Sequence, residues 1–259
     1  MTFPGDEPRA RPAPDWLLTD DYDVIDHGAL KAGKEAEVFV VERRTLDGSR
    51  SAILAHKRYR PTKVRKGELE AMGFSRARSF ANDAMYHEGR KFRRSREKRA
   101  VERMTDLGKR ILADRWPAQE LETLVTAHDA GVTVPYPVEF TGDGLLMQML
   151  GDDGVAAPRL VGARLDDGDL KRAWDQFVED IARLTQAGVV HADLSPYNVL
   201  WWRDRLWVID FPQAVDLVGN PHGFDLLHHD VTTMCTWFTR QGIPTDPDAL
   251  YAELIATAF

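Results

Sequence analysis

Only one cysteine, Cys235, occurs in 259 residues. No internal disulfide and no cysteine-based zinc site can form, and a reducing compartment suits the chain. No apolar stretch is long enough to cross a bilayer. The first residues, MTFPGDEPRARPAPDW, lack the basic-then-apolar pattern of a secretory signal. The expected location is therefore cytoplasmic, with no membrane partner. There is no internal repeat. Positive charge is not in excess: 34 Lys and Arg stand against 41 Asp and Glu, a formal net charge of -7. That balance argues against a surface that binds nucleic acid everywhere and leaves only a local basic patch for that role. Hydrophobic residues at 43% and charged residues at 29% are those of an ordinary globular protein. The length suits one core or two small lobes.

What the chain does have is one stretch rich in chemistry, Val189–Asp210, reading VVHADLSPYNVLWWRDRLWVID. A short apolar run gives way to a polar loop from His191 to Asn198. A strand, Val199–Trp202, follows, then a polar turn at Arg203-Asp204-Arg205. A second strand, Leu206–Ile209, stops on Asp210. Two such strands around a tight turn predict a hairpin, whose open end brings Asp210 close to the amide of Asn198. Phosphoryl transfer from ATP needs hard oxygen ligands for magnesium and a carboxylate that orients the attacking hydroxyl. Asn198 and Asp210 fit the metal ligands, and Asp193 fits the base. Protein kinases arrange these groups as H-R-D-x-x-x-x-N followed by D-F-G. Here the two elements are His191-Ala-Asp-Leu-Ser-Pro-Tyr-Asn198 and Asp210-Phe-Pro212.

Read in order, the chain predicts a flexible, proline- and charge-rich tail over 1–20, with Trp16, Leu17 and Leu18 able to dock. A first lobe over 21–150 carries a basic flexible insertion at about 61–100, and a second lobe fills 151–259. Strands are expected at Val24–Leu30, Glu37–Glu42 and Ser51–Tyr59. Between the first two, Gly28 to Lys34 matches most of a P-loop, but Glu35 replaces the required Ser or Thr and a strand follows where a helix is needed. The better reading is a flap, Gly33-Lys34-Glu35, with Val38 behind it, whose backbone covers ATP phosphates and whose Gly33 allows close approach. Lys57, near the end of the third strand, is the candidate phosphate lysine. The dense run from Arg90 to Arg99 reads as a solvated loop or helix face, with a patch for RNA or an acidic partner as the sharper alternative. A helix is expected from Pro117 to before Gly131, with Glu120 as ion-pair partner of Lys57. Strands at Val138–Phe140 and Leu145–Leu150 lead to a hinge, Gly151–Gly154, where adenine would meet backbone groups near Gln148 and Leu150. In the second lobe, Asp169–Ala187 presents Trp174, Phe177, Ile181 and Leu184 as a core stripe. Helices at Gly223–Gln241 and Pro247–Ala256 follow. His228, His229 and Asp230 read poorly as a metal cluster, because adjacent helical residues face different ways.

These motifs resemble the RIO family of atypical serine/threonine protein kinases. The resemblance rests on Gly33-Lys-Glu-Ala-Glu-Val-Phe39, Ala55-His-Lys57, Trp116–Leu124 with Glu120, Ala130–Pro135, Leu145–Asp153 with Ala157-Pro158, Val190–Ser195 with Asn198, and Val208–Asp210 with Gln213. It implies a trimmed two-lobe α+β kinase-like fold, with an antiparallel sheet in the first lobe and a mainly helical second lobe. It also implies ATP with Mg2+ (or Mn2+), kinase or ATPase activity on an unknown protein substrate, and an aspartate, here Asp210, that takes up phosphate. Eukaryotic members assist small-subunit ribosome maturation, so a ribosomal particle or RNA bound through residues 90–99 is a candidate partner. Pro212 after Phe211, and Pro117 in the glutamate helix, depart from the pattern. Ala192 stands where an activating phosphate would need arginine. Two alternatives stay open: an ATP-gated ribosome-assembly factor, and an aminoglycoside-type small-molecule phosphotransferase with a similar His-x-Asp…Asn loop.

Overall fold

β-Branched and aromatic runs such as Val38-Phe-Val-Val41 favour strands, and the first half forms a sheet. The structure, a computed structural model, describes residues 12–33, 36–59, 106–142 and 144–259. Lys34, Glu35 and the basic run from Arg90 to Arg99 lie outside these. Strands β1 (Tyr22–Ala32), β2 (Ala36–Thr45), β3 (Ser51–Tyr59), β4 (Pro137–Phe140) and β5 (Gly144–Gln148) make one sheet in the order β1-β2-β3-β5-β4. Every neighbouring pair is antiparallel. Successive side chains on a strand face opposite ways. On β3, Leu54 packs on one face with Leu17, Val41 and Leu146. Ala55 packs on the other with Val40 and Met149. Residues before β1 are not all free of the sheet: Leu17 and Leu18 are buried, and Arg43 donates to the Leu18 carbonyl at 2.9 Å.

Helix α1 spans Asp106–Asp129 and so begins well before the expected start at Pro117. A proline deletes one backbone donor, and turns already formed on both sides can carry that loss. Proline marks a helix start by frequency only. The expected hinge contains a small hairpin, β6 (Gly151–Asp152) with β7 (Val155–Ala156). Its turn residues Asp153 and Gly154 both have positive φ, 52° and 75°, as a tight two-residue turn requires.

The second half is mainly helical. Helix α2 (Asp167–Gln186) starts in a capping box formed by Asp166 and Asp169. Strand β8 (Val189–Val190) pairs with β11 (Val215–Asp216). Between them lies the hairpin β9 (Val199–Trp202) and β10 (Arg205–Val208). Its turn is Arg203-Asp204, at φ 51° and 57°, and Arg205 belongs to the strand rather than the turn. Helices α3 (Gly223–Arg240) and α4 (Pro247–Ala258) close the chain, the latter capped by Asp246 with proline in its first turn. Phe177, Ile181 and Leu184 of α2 enter one large apolar core with Leu206, Val208, Leu227, Val231 and Phe238. Leu124 of α1 and Leu145 of β5 join the same core, which anchors both halves to each other.

Candidate active site

Sheet and hairpin face each other across a cleft of about 500 Å³. Alternation on β3 turns Ala55, Lys57 and Tyr59 into it. Val38 sits directly across from Lys57 on β2 and also lines it. Gln148 and Leu150 form the back wall, Leu200 and Ile209 the floor, and Asp193 and Asp210 the polar end. The Gly33 amide bonds the Ala36 carbonyl at 2.9 Å. A Cβ on Gly33 would stand 2.9 Å from that same oxygen, so the tight flap turn excludes any larger residue. Chain continues as strand β2 from Ala36, where a P-loop would open a helix. At the back wall, the Gln148 amide is tied to the Tyr136 carbonyl and the Leu150 carbonyl to the Ala157 amide.

Lys57 is the centre of a charge cluster, buried on the Glu120 side and open to the cleft on the Asp210 side. Its ammonium bonds both oxygens of Glu120, at 2.7 and 3.0 Å, and Oδ1 of Asp210 at 2.5 Å. Lys57 and Glu120 are both buried. Glu120 Oε1 also accepts the Phe211 amide at 3.1 Å, which ties α1 to the residue after Asp210. Burial works against the Lys57 ammonium, but the charges of Glu120 and then Asp210 outweigh it and hold its pKa above the ordinary value. For Asp210 burial pushes the carboxyl up, and the Lys57 charge and hydrogen bond bring it below the ordinary value. The two stay ionised as a pair.

The loop from His191 to Asn198 is held differently. Ala192 has φ 64° and Asp210 φ 72°, a region that costs L-residues energy unless neighbours enforce it. Asp230, fully buried on α3, supplies that enforcement on the loop: its two oxygens accept the amides of Ala192 (2.8 Å) and Leu194 (2.9 Å). Burial pushes the Asp230 carboxyl up. His191 is also buried, against the Phe211 ring at 4.8 Å. The Asp193 amide donates to Nδ1 of His191 at 3.3 Å, which leaves Nε2 to donate to the Ile209 carbonyl at 3.0 Å. That pattern defines the neutral tautomer. The Asn198 amide donates to the Asp193 carbonyl (2.8 Å) and to its Oδ2 (3.1 Å).

The hairpin predicts Asp210 close to Asn198, and the two side chains take different hydrogen-bond partners. A lysine ammonium is the stronger partner for the carboxylate, and the amide serves Asp193 instead. The backbones do meet as the hairpin requires, with the Ile209 amide on the Asn198 carbonyl at 3.0 Å. Pro212, a departure from the family pattern, lines the cleft beside Asp210, whose carboxylate points to Lys57. Sequence reading missed the anchoring roles of Asp230 and His191. The available signal was a carboxylate on the buried stripe Leu227, Val231, Met234 of an amphipathic helix.

With its amide on Asp193, Asn198 has its side-chain oxygen left to offer, and Asp210 has Oδ2. Two hard oxygens suit magnesium, which takes one or two protein ligands and fills the rest with water and phosphate. No cluster of three or more His, Cys, Asp or Glu fit to hold a metal occurs among the described residues.

The family model of the RIO domain matches residues 76–250. The RIO-type serine/threonine-protein kinase Rio1 of Thermoplasma acidophilum is 33% identical over 135 residues, covering 52% of this chain and 69% of that protein. The serine/threonine-protein kinase RIO1 of Caenorhabditis elegans is 35% identical over 130 residues, 50% of this chain but only 26% of the relative. Among solved structures, the Rio2 kinase-ADP/Mg2+-phosphoaspartate complex from Chaetomium thermophilum superposes with a TM-score of 0.60 at 19% identity. It covers 90% of this chain and 61% of that one, which makes the fold kinase-like, two-lobed and α+β. No described helix is long and apolar enough to cross a membrane.

Proposed function

The chain belongs to the RIO family, and on that premise we propose that it is an ATP-dependent phosphotransferase of the RIO serine/threonine kinase type. One observation carries the reading: Lys57, Asp193 and Asp210 line one cleft, with Glu120 gripping Lys57 and Asn198 gripping Asp193. The adenine lies between the sheet side of Ala55 and Val38 and the floor at Leu200. The Leu150 amide, with backbone near Gln148, reads its edge. Lys57 holds the α- and β-phosphates, and Glu120 keeps the ammonium from swinging to solvent. The flap residues Gly33, Lys34 and Glu35 cover the phosphates. Asn198 and Asp210 would hold Mg2+ or Mn2+, which would offset phosphate charge. Asp193 accepts the proton of an attacking hydroxyl on a protein substrate. That oxygen bonds the γ-phosphorus, the bond to the bridging oxygen breaks, and ADP leaves with the electron pair.

A second acceptor is Asp210 itself. The Chaetomium neighbour is a phosphoaspartate complex, and carboxylates act as nucleophiles in ATPases. One Asp210 oxygen bonds the γ-phosphorus as ADP departs. Water then attacks that phosphorus, Asp210 leaves as carboxylate, and inorganic phosphate and a proton are released. The test is incubation with γ-labelled ATP and magnesium, an acid quench, and hydroxylamine. Label released by hydroxylamine and absent in Asp210→Ala supports the route. Label that resists hydroxylamine, or persists in that variant, places phosphate on a hydroxyl instead and removes it.

This reading puts the protein in the cytoplasm, with ATP and a reduced, buried Cys235. The aminoglycoside-type alternative yields to the family match. A ribosomal particle or RNA as partner rests on the basic run at 90–99 alone. Sedimentation with ribosomal subunits, with and without ATP, tests it.

A further inference from the structure

Two more cations line the cleft and have no role in the scheme above. Lys31 stands on β1, across from Val38 on the roof. Arg159 stands on the floor, bridged through its backbone to Leu200. The two face one cavity from opposite walls. Partial burial, then the charge of Arg159, pushes the Lys31 ammonium below its ordinary pKa, against the pull of Asp210. Arg159 acts on Asp210 as well. So both cations stand near the carboxylate at the polar end.

Neither meets a carboxylate within ion-pair distance among the described residues. Among the described residues Lys57, Arg43, Arg44, Arg58, Lys171, Arg172, Arg183 and Arg203 meet carboxylates within ion-pair distance. Lys31 and Arg159 do not; nor do Arg50, Arg164, Arg205 and Arg240, but of these six only Lys31 and Arg159 line the cleft. Asp210 gives Oδ1 to Lys57 and attracts both cations without forming an ion pair with either. Two like charges apposed in a partly dehydrated cleft repel, and an anion between them removes that cost. In a chain of net charge -7, an unpaired cation pair at the one cleft lined by Lys57 and Asp210 is a local reversal of sign.

We infer that Lys31 and Arg159 form a two-walled clamp on the polyphosphate of the bound nucleotide, one from the roof and one from the floor. The inference rests on the nucleotide reading of the cleft and adds two binding residues to it. It makes the phosphates, rather than the base, the source of much of the affinity. It also makes product ADP leave more slowly than from a cleft held by Lys57 alone.

The experiment is titration calorimetry on the full chain with ADP, ATP and adenosine, in magnesium, across a salt series. Lys31→Ala and Arg159→Ala should each weaken ADP and ATP about two- to fivefold, the range of a partly exposed ion pair. The double variant should lose roughly the product of the two. Its affinity should also depend less on salt. Adenosine affinity should not move, and Lys31→Arg with Arg159→Lys should keep nucleotide affinity near wild type. Unchanged ADP and ATP affinity in the double variant overturns the clamp. So does a parallel loss for adenosine, which would mean a structural role. Wild-type protein that binds neither nucleotide would sink the proposed function itself. Wild-type binding that is sensitive to Lys57→Ala but indifferent to the double variant would sink the clamp alone.

Discussion

The two walls of the cleft are built by different means. The sheet wall packs in two small clusters, and its working residue, Lys57, is placed by charge. Its partners lie 63 and 153 residues away, on a helix and at the end of a hairpin. The loop wall rests on the one large core of the molecule. Its groups are placed mainly by hydrogen bonds, with Asp230 and His191 holding backbone and Asn198 holding Asp193. A loop bonded through its own backbone to a buried anchor is preorganised and costs little to use. A lysine held by two carboxylates can exchange one of them for phosphate without losing its place. The difference teaches that the loop wall is the fixed frame and the sheet wall the adjustable part.

The strongest way to probe the frame is to remove its chemistry and spare its shape. Asp193→Asn should cut turnover about 10²–10⁴-fold, while ADP affinity stays. Wild-type turnover, or lost ADP binding, would show that Asp193 is not the base.

Asp230→Ala attacks the frame itself. It strands the Ala192 and Leu194 amides, at about 1–3 kcal/mol each, so urea denaturation should show a loss of roughly 2–6 kcal/mol and turnover should fall with it. A variant as stable as wild type would mean that the loop holds its shape without Asp230.

On the sheet wall, Lys57→Ala and Glu120→Ala should be non-additive in turnover, with a coupling of about 0.5–3 kcal/mol. Glu120→Ala should be the milder, because Asp210 still grips Lys57. Additive losses in the double-mutant cycle would break the idea that one charge cluster places the lysine.

The smallest effect is also the sharpest contrast. Asp210 has a folded pKa below its ordinary value of 3.8. Its stabilising contribution is complete above that value and is lost as pH falls through the lower folded one. Asp230 is shifted the other way, above 3.8, by burial. Its contribution is complete below 3.8 and fades as pH rises through the raised value. Stability relative to wild type should therefore change with opposite slopes in acid for Asp210→Asn and Asp230→Asn. Parallel slopes in urea midpoints from pH 3 to 7 would erase the distinction between the walls.

Much of this site was legible because it is local. Period-two alternation placed Ala55 and Lys57 on one face, and both line the cleft. Spacing placed the polar loop directly before a hairpin, and β9 and β10 are that hairpin. The third strand has the expected bounds, Ser51–Tyr59. The start of α1 was not legible, because proline is a weak signal inside a long helix. Asp230 was read with its two histidine neighbours as a poor metal cluster, since nothing in a helix pattern says which backbone amides a buried carboxylate will meet. The flap residues Lys34 and Glu35 lie outside the described residues.

The sequence by itself determined the strands of the large sheet, the β9–β10 hairpin, the cap of the last helix, and the set of polar side chains at the ends of that hairpin. Each depends on residues a few positions apart, where backbone geometry leaves little choice. Tertiary structure alone decided that Glu120 and Asp210 meet Lys57 and that Asp230 holds the loop. Those contacts close loops of 36 to 153 residues. Their geometry is set by how α1, α3 and the hairpin pack on the shared core, and no local pattern encodes that.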